Sequence, residues 1–245
     1  MRKKVASALL SFVLGLSLLT GGLPVRAFAG EESTEAGIEV PTASGAIRPE
    51  YRALDYVQIE DEQYKELKVS IFPPLDDSEE AQTAYRTALD TTIMTQLFNL
   101  YPVKTYPRDL LSYVTGSLKA TYIQYADLYG MDLPTFLKTY MEMDEETFDR
   151  EVVKAAKQTL TEEILLRALA EKENITLSEE EYQKGLGDYL VKYSYDSPED
   201  LLDDFDEPTV RISLLMDKVL DYLEDCCEIT EEAGTEADSL PANAG

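Results

Sequence analysis

Histidine is absent from this 245-residue chain, and tryptophan with it. That removes most familiar side-chain chemistry: no Ser-His-Asp or Cys-His nucleophile pair can be built, and no imidazole can ligate a metal. Cys226 and Cys227 are adjacent, a spacing that matches neither a Cys-x-x-Cys redox motif nor a zinc knuckle. A disulfide between neighbours closes a strained ring, so they read as buried or half-buried thiols near a helix end, with an intermolecular bridge as the alternative. Carboxylates are plentiful, 48 against 22 lysines and arginines, and a glycosidase-type carboxylate pair is the one other obvious hydrolytic device. Their placement favours a plainer role. Runs such as Asp144-Glu145-Glu146, Ser178 to Glu181 and Asp203-Asp204 fall where helices should begin, and negative charge there suits the helix dipole. No Asp-x-Asp-x-Asp-Gly loop suited to calcium occurs. The chain is therefore expected to carry no catalytic residue, no metal and no cofactor.

What remains is adaptable non-covalent contact. Methionine is flexible and tyrosine amphipathic, so a surface built from both can accept many sequences without one fixed shape. Met131, Met141 and Met143 fall between two predicted helices, and Tyr113, Tyr122, Tyr125, Tyr129, Tyr140, Tyr182, Tyr189 and Tyr193 crowd the helices on either side. These eleven are the candidate peptide-binding residues. Ordinary core packing is the competing explanation for each of them.

The elements that must position them are mostly helices. From Ser78 onward the pattern is helical, with breaks at Pro102, Pro107, Gly130, Asn174, Pro198 and Pro208. Between Arg108 and Tyr129 a stripe runs through Leu111, Val114, Leu118, Thr121 or Tyr122, Tyr125 and Tyr129. Asp132 and Pro134 open a short helix, and Asp144 caps a long one carrying Phe148, Val152, Ala156, Leu160, Ile164 and Ala168 at four-residue spacing. Ser178 with Glu181 forms a capping box. The last helix opens at Glu207-Pro208 with Ile212, Leu215, Val219, Tyr222 and Cys226 in a near-heptad stripe. Ahead of the helices, Tyr51 to Phe72 shows partial alternation suited to one or two short strands.

The stretch AAKQTLTEEILLRALAEKENITLSEEEY, Ala155 to Tyr182, gives a long amphipathic helix, a break at Asn174, an extended segment and a newly capped helix. In order and wording it resembles the C-terminal arm domain of trigger factor, a bacterial folding chaperone, and the substrate-holding helices of SurA-like chaperones. Tyr106-Pro107 and LLMDKVLDYLEDCCEI extend the resemblance over residues 101–229. It implies a mainly α fold, an elongated multi-helix arm-like bundle, with a short N-terminal strand or hairpin remnant. It also implies the holding of unfolded polypeptide. DYVQIEDEQYKELKVSIFPP resembles the strand leading into the family's prolyl-isomerase domain, but only Ser78 to Leu100 follows before Tyr101, too little for that domain's body. The ribosome-docking Gly-Phe-Arg-x-Gly-Lys-type loop is not in the sequence either. Isomerase activity would be nominal, implied by the family label alone, and no ribosome contact is expected.

The chain begins MRKKVASALLSFVLGLSLL, a basic n-region and an apolar h-region, and Ala27-Phe28-Ala29 is a small-x-small cleavage site. The apolar run is shorter than the roughly 20 residues needed to span a bilayer. Residues 1–29 thus read as a signal peptide cleaved after Ala29, 30–46 as a linker, 47–75 as the strand segment, 76–229 as the helical domain and 230–245 as a disordered acidic tail. Loss of Arg2, Lys3, Lys4 and Arg26 takes the formal net charge from −26 to −30. Such a chain is repelled by nucleic acid and anionic membranes. The expected function is an exported, ATP-independent holdase for unfolded or nascent secreted polypeptides, with weak self-association as a further partner expectation. The alternative is a helical module serving one dedicated secretion or envelope partner.

Overall fold

The computed structural model describes residues 48–231; the expected signal peptide, the expected linker and residues 232–245 of the expected tail lie outside them. Two short 3-10 turns, Ala53–Asp55 and Gln63–Lys65, lead into strand β1, Lys68–Ile71. Seven helices follow among the described residues: α1 Glu79–Leu100, α2 Arg108–Leu128, α3 Leu133–Tyr140, α4 Glu145–Glu173, α5 Glu179–Tyr193, α6 Pro198–Asp204 and α7 Glu207–Cys226. Strand β2, Glu228–Glu231, completes the described chain, giving a mainly α, elongated bundle with a two-stranded parallel sheet. Among the described residues no helix is long and apolar enough to cross a membrane.

Polar side chains set the helix starts. The side chains of Ser78, Asp132, Asp144, Ser197 and Asp206 each accept a backbone N–H from the first turn of their helices, satisfying donors the helix cannot. Ser178 and Glu181 close the capping box from both sides. Asn174 ends α4 in the left-handed region (φ 55°), and the Ile175 N–H turns back onto the Ala170 carbonyl at 2.9 Å. Gly130 does the same after α2 at φ 65°, where a Cβ would be strained.

Burial divides the molecule into two clusters. The larger joins β1, the segment before it, α1 to α4 and the C-terminal half of α7; the smaller joins Tyr182, Leu186 and Tyr189 of α5 to Leu201 of α6 and to Val210 and Leu214 of α7. Helix α4 is the axis of the larger cluster, with Phe148, Val152, Ala156, Leu160, Ile164 and Ala168 all buried. Gly185 lets α5 approach α7, since a Cβ there would lie 2.5 Å from Leu214 Cδ2. Helix α7 runs through both clusters and joins them.

Three details differ from the sequence reading. On α2 the buried face runs through Leu110, Val114, Leu118, Tyr122 and Ala126, leaving Leu111 and Tyr125 half-buried and Tyr129 exposed. The small Ala126 brings α2 close to its neighbours, and the larger tyrosines flank the contact. On α7 the buried face is Val210, Leu214, Met216, Val219, Leu220 and Leu223, because α1, α4 and α5 all pack on it; of the expected stripe only Val219 is buried, and Ile212, Leu215, Tyr222 and Cys226 are half-buried at its edges. Within Tyr51 to Phe72 only Lys68–Ile71 is a strand, and its partner is Glu228–Glu231, with Val69 opposite Ile229. β1 buries Val69 and Ile71, and the chain leaving α7 supplies its backbone partners, so Thr230 and Glu231 belong to the sheet. β2 is exposed throughout and has no alternating pattern to read.

Candidate functional site

The structure divides the eleven predicted residues into two groups. Tyr122, Tyr125, Tyr129, Met131, Tyr140, Met141 and Met143 gather where the end of α2 meets α3 and the start of α4, with Tyr113 farther up α2. Tyr182, Tyr189 and Tyr193 belong to the smaller cluster. Tyr122, Tyr182 and Tyr189 are buried, so in this conformation they are core residues. Tyr122 stacks edge-on against Phe148 at 5.1 Å, and burial pushes its hydroxyl pKa up to about 12. Tyr189 donates to Asp217 Oδ2 at 2.6 Å, and burial with that carboxylate raises its pKa. Tyr193 lies edge-on to Tyr189 at 5.4 Å and is likewise raised to about 12 by burial.

At the α2–α3 corner the surface is open. Leu128 is 50% exposed, Tyr140 40% and Tyr129 38%. The Tyr129 ring lies 5.8 Å from Phe136 and 5.0 Å from Tyr140, and Phe136 and Tyr140 are 5.2 Å apart. Met131, Met141 and Met143 pack behind this aromatic group, half-buried against the main core. Glu142, in the left-handed region at φ 53°, turns the chain between the last two methionines. Asp127, Asp132, Glu142 and Asp144 flank the corner in sequence and are exposed, giving an apolar face with an acidic border.

A second arrangement was not foreseen from the sequence. Glu163, Arg167 and Glu171 form a polar ridge on α4 at four-residue spacing, and residues 48–54 lie along it. Glu163, 4% exposed, accepts from the Arg48 guanidinium and, at 3.0 Å, from the Tyr51 hydroxyl. Arg167 sits over the Tyr51 ring at 4.3 Å, donates to the Tyr51 carbonyl at 3.3 Å and pairs with Glu163 at 3.4 Å. The Glu171 carboxylate accepts the N–H groups of Ala53 and Leu54, at 2.8 and 3.4 Å. Lys172 donates to the carbonyls of Ile59 and Asp61, both at 2.8 Å. A small cavity of about 240 Å³ opens beside the ridge, lined by Arg167, Glu171, Asn174, Ile175 and Leu215. The signal in the sequence was the four-residue repeat of charge at Glu163, Arg167 and Glu171 in the C-terminal half of an amphipathic helix.

Among the described residues no group of three or more cysteines and carboxylates could hold a metal ion. Cys226 and Cys227 are free, half-buried thiols at the end of α7, and burial pushes Cys227 up to about 11, away from the reactive thiolate. The α2–α3 corner offers apolar contact to solvent, and side chains along α4 hydrogen-bond main chain.

A family model described as the C-terminus of bacterial trigger factor protein matches residues 65–225, from the second 3-10 turn to the end of α7. No match was found among curated proteins, nor among solved structures.

Proposed function

The chain belongs to the bacterial trigger factor C-terminus family, a chaperone module, and from that premise we propose that it is an exported, ATP-independent holdase for unfolded segments of secreted polypeptides. The match across residues 65–225 carries this reading. The open corner of Leu128, Tyr129 and Tyr140 supports it by offering adjoining apolar side chains to solvent. The acidic border keeps a loaded molecule soluble and disfavours collapse onto other copies. Export rests on the basic and apolar character of residues 2–19 and on the Ala27-Phe28-Ala29 site.

The protein lacking residues 1–29 should slow the aggregation of several unrelated unfolded clients at near-stoichiometric ratios. Replacing Leu128, Tyr129 and Tyr140 together by serine should weaken that suppression several-fold, while the urea midpoint moves little, because exposed positions each contribute within about 0.5 kcal/mol. Suppression that is absent for every client, or that survives the triple substitution intact, overturns the reading.

The same proposal excludes prolyl isomerisation. The chain passes from β1 at Ile71 directly to α1 at Glu79, and the described residues form a two-stranded sheet. On a short proline peptide the protein should leave isomerisation at its uncatalysed rate, on the order of tens of seconds. A measurable acceleration would restore the enzyme reading.

A further inference from the structure

Residues 48–54 cross α4 as a bound peptide would. Apart from the 3-10 turn at Ala53–Asp55, in which the Asp55 and Tyr56 N–H groups bond the Arg52 and Ala53 carbonyls, they have no regular structure, and side chains of α4 meet three other groups of their main chain. The Tyr51 carbonyl takes a proton donor from Arg167, and the Ala53 and Leu54 N–H groups share the two oxygens of Glu171. Bonding of side chain to main chain accepts almost any sequence. Two side chains, Arg48 and Tyr51, converge on the buried Glu163, and the exposed Arg52 lies 3.8 Å from Glu171. The Arg48 guanidinium also faces the ring of Tyr113 at 5.7 Å, and Tyr113 in turn donates to Asp206 at 3.3 Å, so the arginine lies between α2 and α4 near the start of α7. The fit is imperfect at one atom, since Arg48 Nε is buried without a partner.

We propose that the Glu163–Arg167–Glu171 ridge is a second polypeptide-binding site, occupied in cis by residues 48–54, and that an extended client bearing an arginine three residues ahead of a tyrosine competes for it. This rests on the reading of the chain as a polypeptide binder. Ala53 is buried in the main core and leaves it with the segment, whereas Val57 and Ile59, also buried, stay, so the exchange ends before them. The cavity beside Arg167 and Glu171 gives an incoming chain room on the open flank of the ridge before the cis segment leaves. A segment tethered this closely competes at an effective concentration on the order of millimolar. The ridge is thereby closed to weak ligands and open to segments that reproduce both anchors.

The test uses a fluorescent peptide of residues 46–56 and the full chain from residue 30, read by anisotropy. The unsubstituted protein should bind the peptide weakly, and the Arg48→Ala, Tyr51→Ala protein at least tenfold more tightly, because its own segment no longer holds the ridge. A peptide with alanine in place of its arginine should lose that gain, and so should adding Glu163→Gln to the doubly substituted protein. Hydrogen exchange should rise at the Ala53 and Leu54 amides of the double variant while the amides of α4 stay protected, separating release of the segment from unfolding. Equal affinity of the two proteins, indifference to the peptide's arginine, or exchange rising throughout α4 overturns the proposal. Peptide capture behaving as stated, together with no suppression of client aggregation by either protein, would refute the holdase and leave the ridge standing.

Discussion

Alanine at Glu163 should lower the free energy of unfolding by about 3 kcal/mol, among the largest losses that a single polar substitution here can give. Removing this carboxylate leaves Arg48 and Arg167, whose side chains are 9% and 19% exposed, facing each other with no anion between them. It also leaves the Tyr51 hydroxyl without its acceptor. A buried charge stripped of its partner costs more than the pair contributed, because its desolvation is no longer offset. The loss is limited by an escape route, since Arg48 can carry residues 48–54 out into water. Arg48→Ala on the Glu163→Ala background should therefore recover part of the loss, and the two substitutions should be strongly non-additive in a double-mutant cycle. Urea unfolding followed by circular dichroism measures all four proteins. Simple addition of the two single effects would mean that Arg48 and Glu163 do not act on each other.

That network also shows where the sequence was legible and where it was not. Phe148, Val152, Ala156, Leu160, Ile164 and Ala168 repeat at four-residue spacing, and every one is buried, because a helix sealed on its apolar face leaves its period in the sequence. The capping box at Ser178 and the left-handed stop at Asn174 were equally readable, since each depends on neighbours in the chain. The pairing of Lys68–Ile71 with Glu228–Glu231 joins residues far apart in sequence, and β2 carries no alternation to announce it. Tyrosine by itself was ambiguous. Tyr122, Tyr129 and Tyr189 are one residue type in one helical context, yet the first and last are buried while Tyr129 is open, a difference set by which helix lies opposite. The ridge escaped because charges inside a long helix usually denote its solvent face. Here the N-terminal segment covers them.

The folded protein should be most stable near about pH 5 and lose roughly 2 kcal/mol between there and pH 8. The cause is a group of carboxylates where α1, α4 and α7 meet. Burial, then hydrogen bonding to Glu224 and its charge, pushes Asp90 up to about 7. Burial, then the charges of Asp90 and Asp217, brings Glu162 to about 7 as well. Asp90 Oδ1 and Glu224 Oε1 are buried without a hydrogen-bond partner, and a proton kept on Asp90 lets its carboxyl donate to Glu224. Arg86 is the nearby cation on α1, reaching Asp221 and lying 3.4 Å from Glu224; α7 adds Asp217 and Asp221, and α5 contributes Tyr189, Tyr193 and Lys192 around Asp217. Both pKa values are raised on folding, so the folded chain keeps protons that the unfolded chain releases above about pH 4. Stability consequently falls as pH climbs from about 4 to about 7 and levels off above that. At full value each shift would be worth some 3 to 4 kcal/mol by linkage, but Asp90 and Glu162 are only half-buried, and solvent screening reduces the sum to about 2. Opposing carboxylates set the acid limit. Hydrogen bonding to Lys218 and Ser178 holds Glu181 down to about 2, and Asp132 and Asp144 are lowered by the first-turn hydrogen bonds they accept, so their contribution is present above about pH 4 and disappears below it. Urea midpoints from pH 4 to pH 8 should trace this curve, and Asp90→Asn with Glu162→Gln should flatten its upper limb and stabilise the protein at pH 8. A flat profile in the unsubstituted protein, or an upper limb unchanged in the double variant, would mean that the three helices carry these charges at no cost.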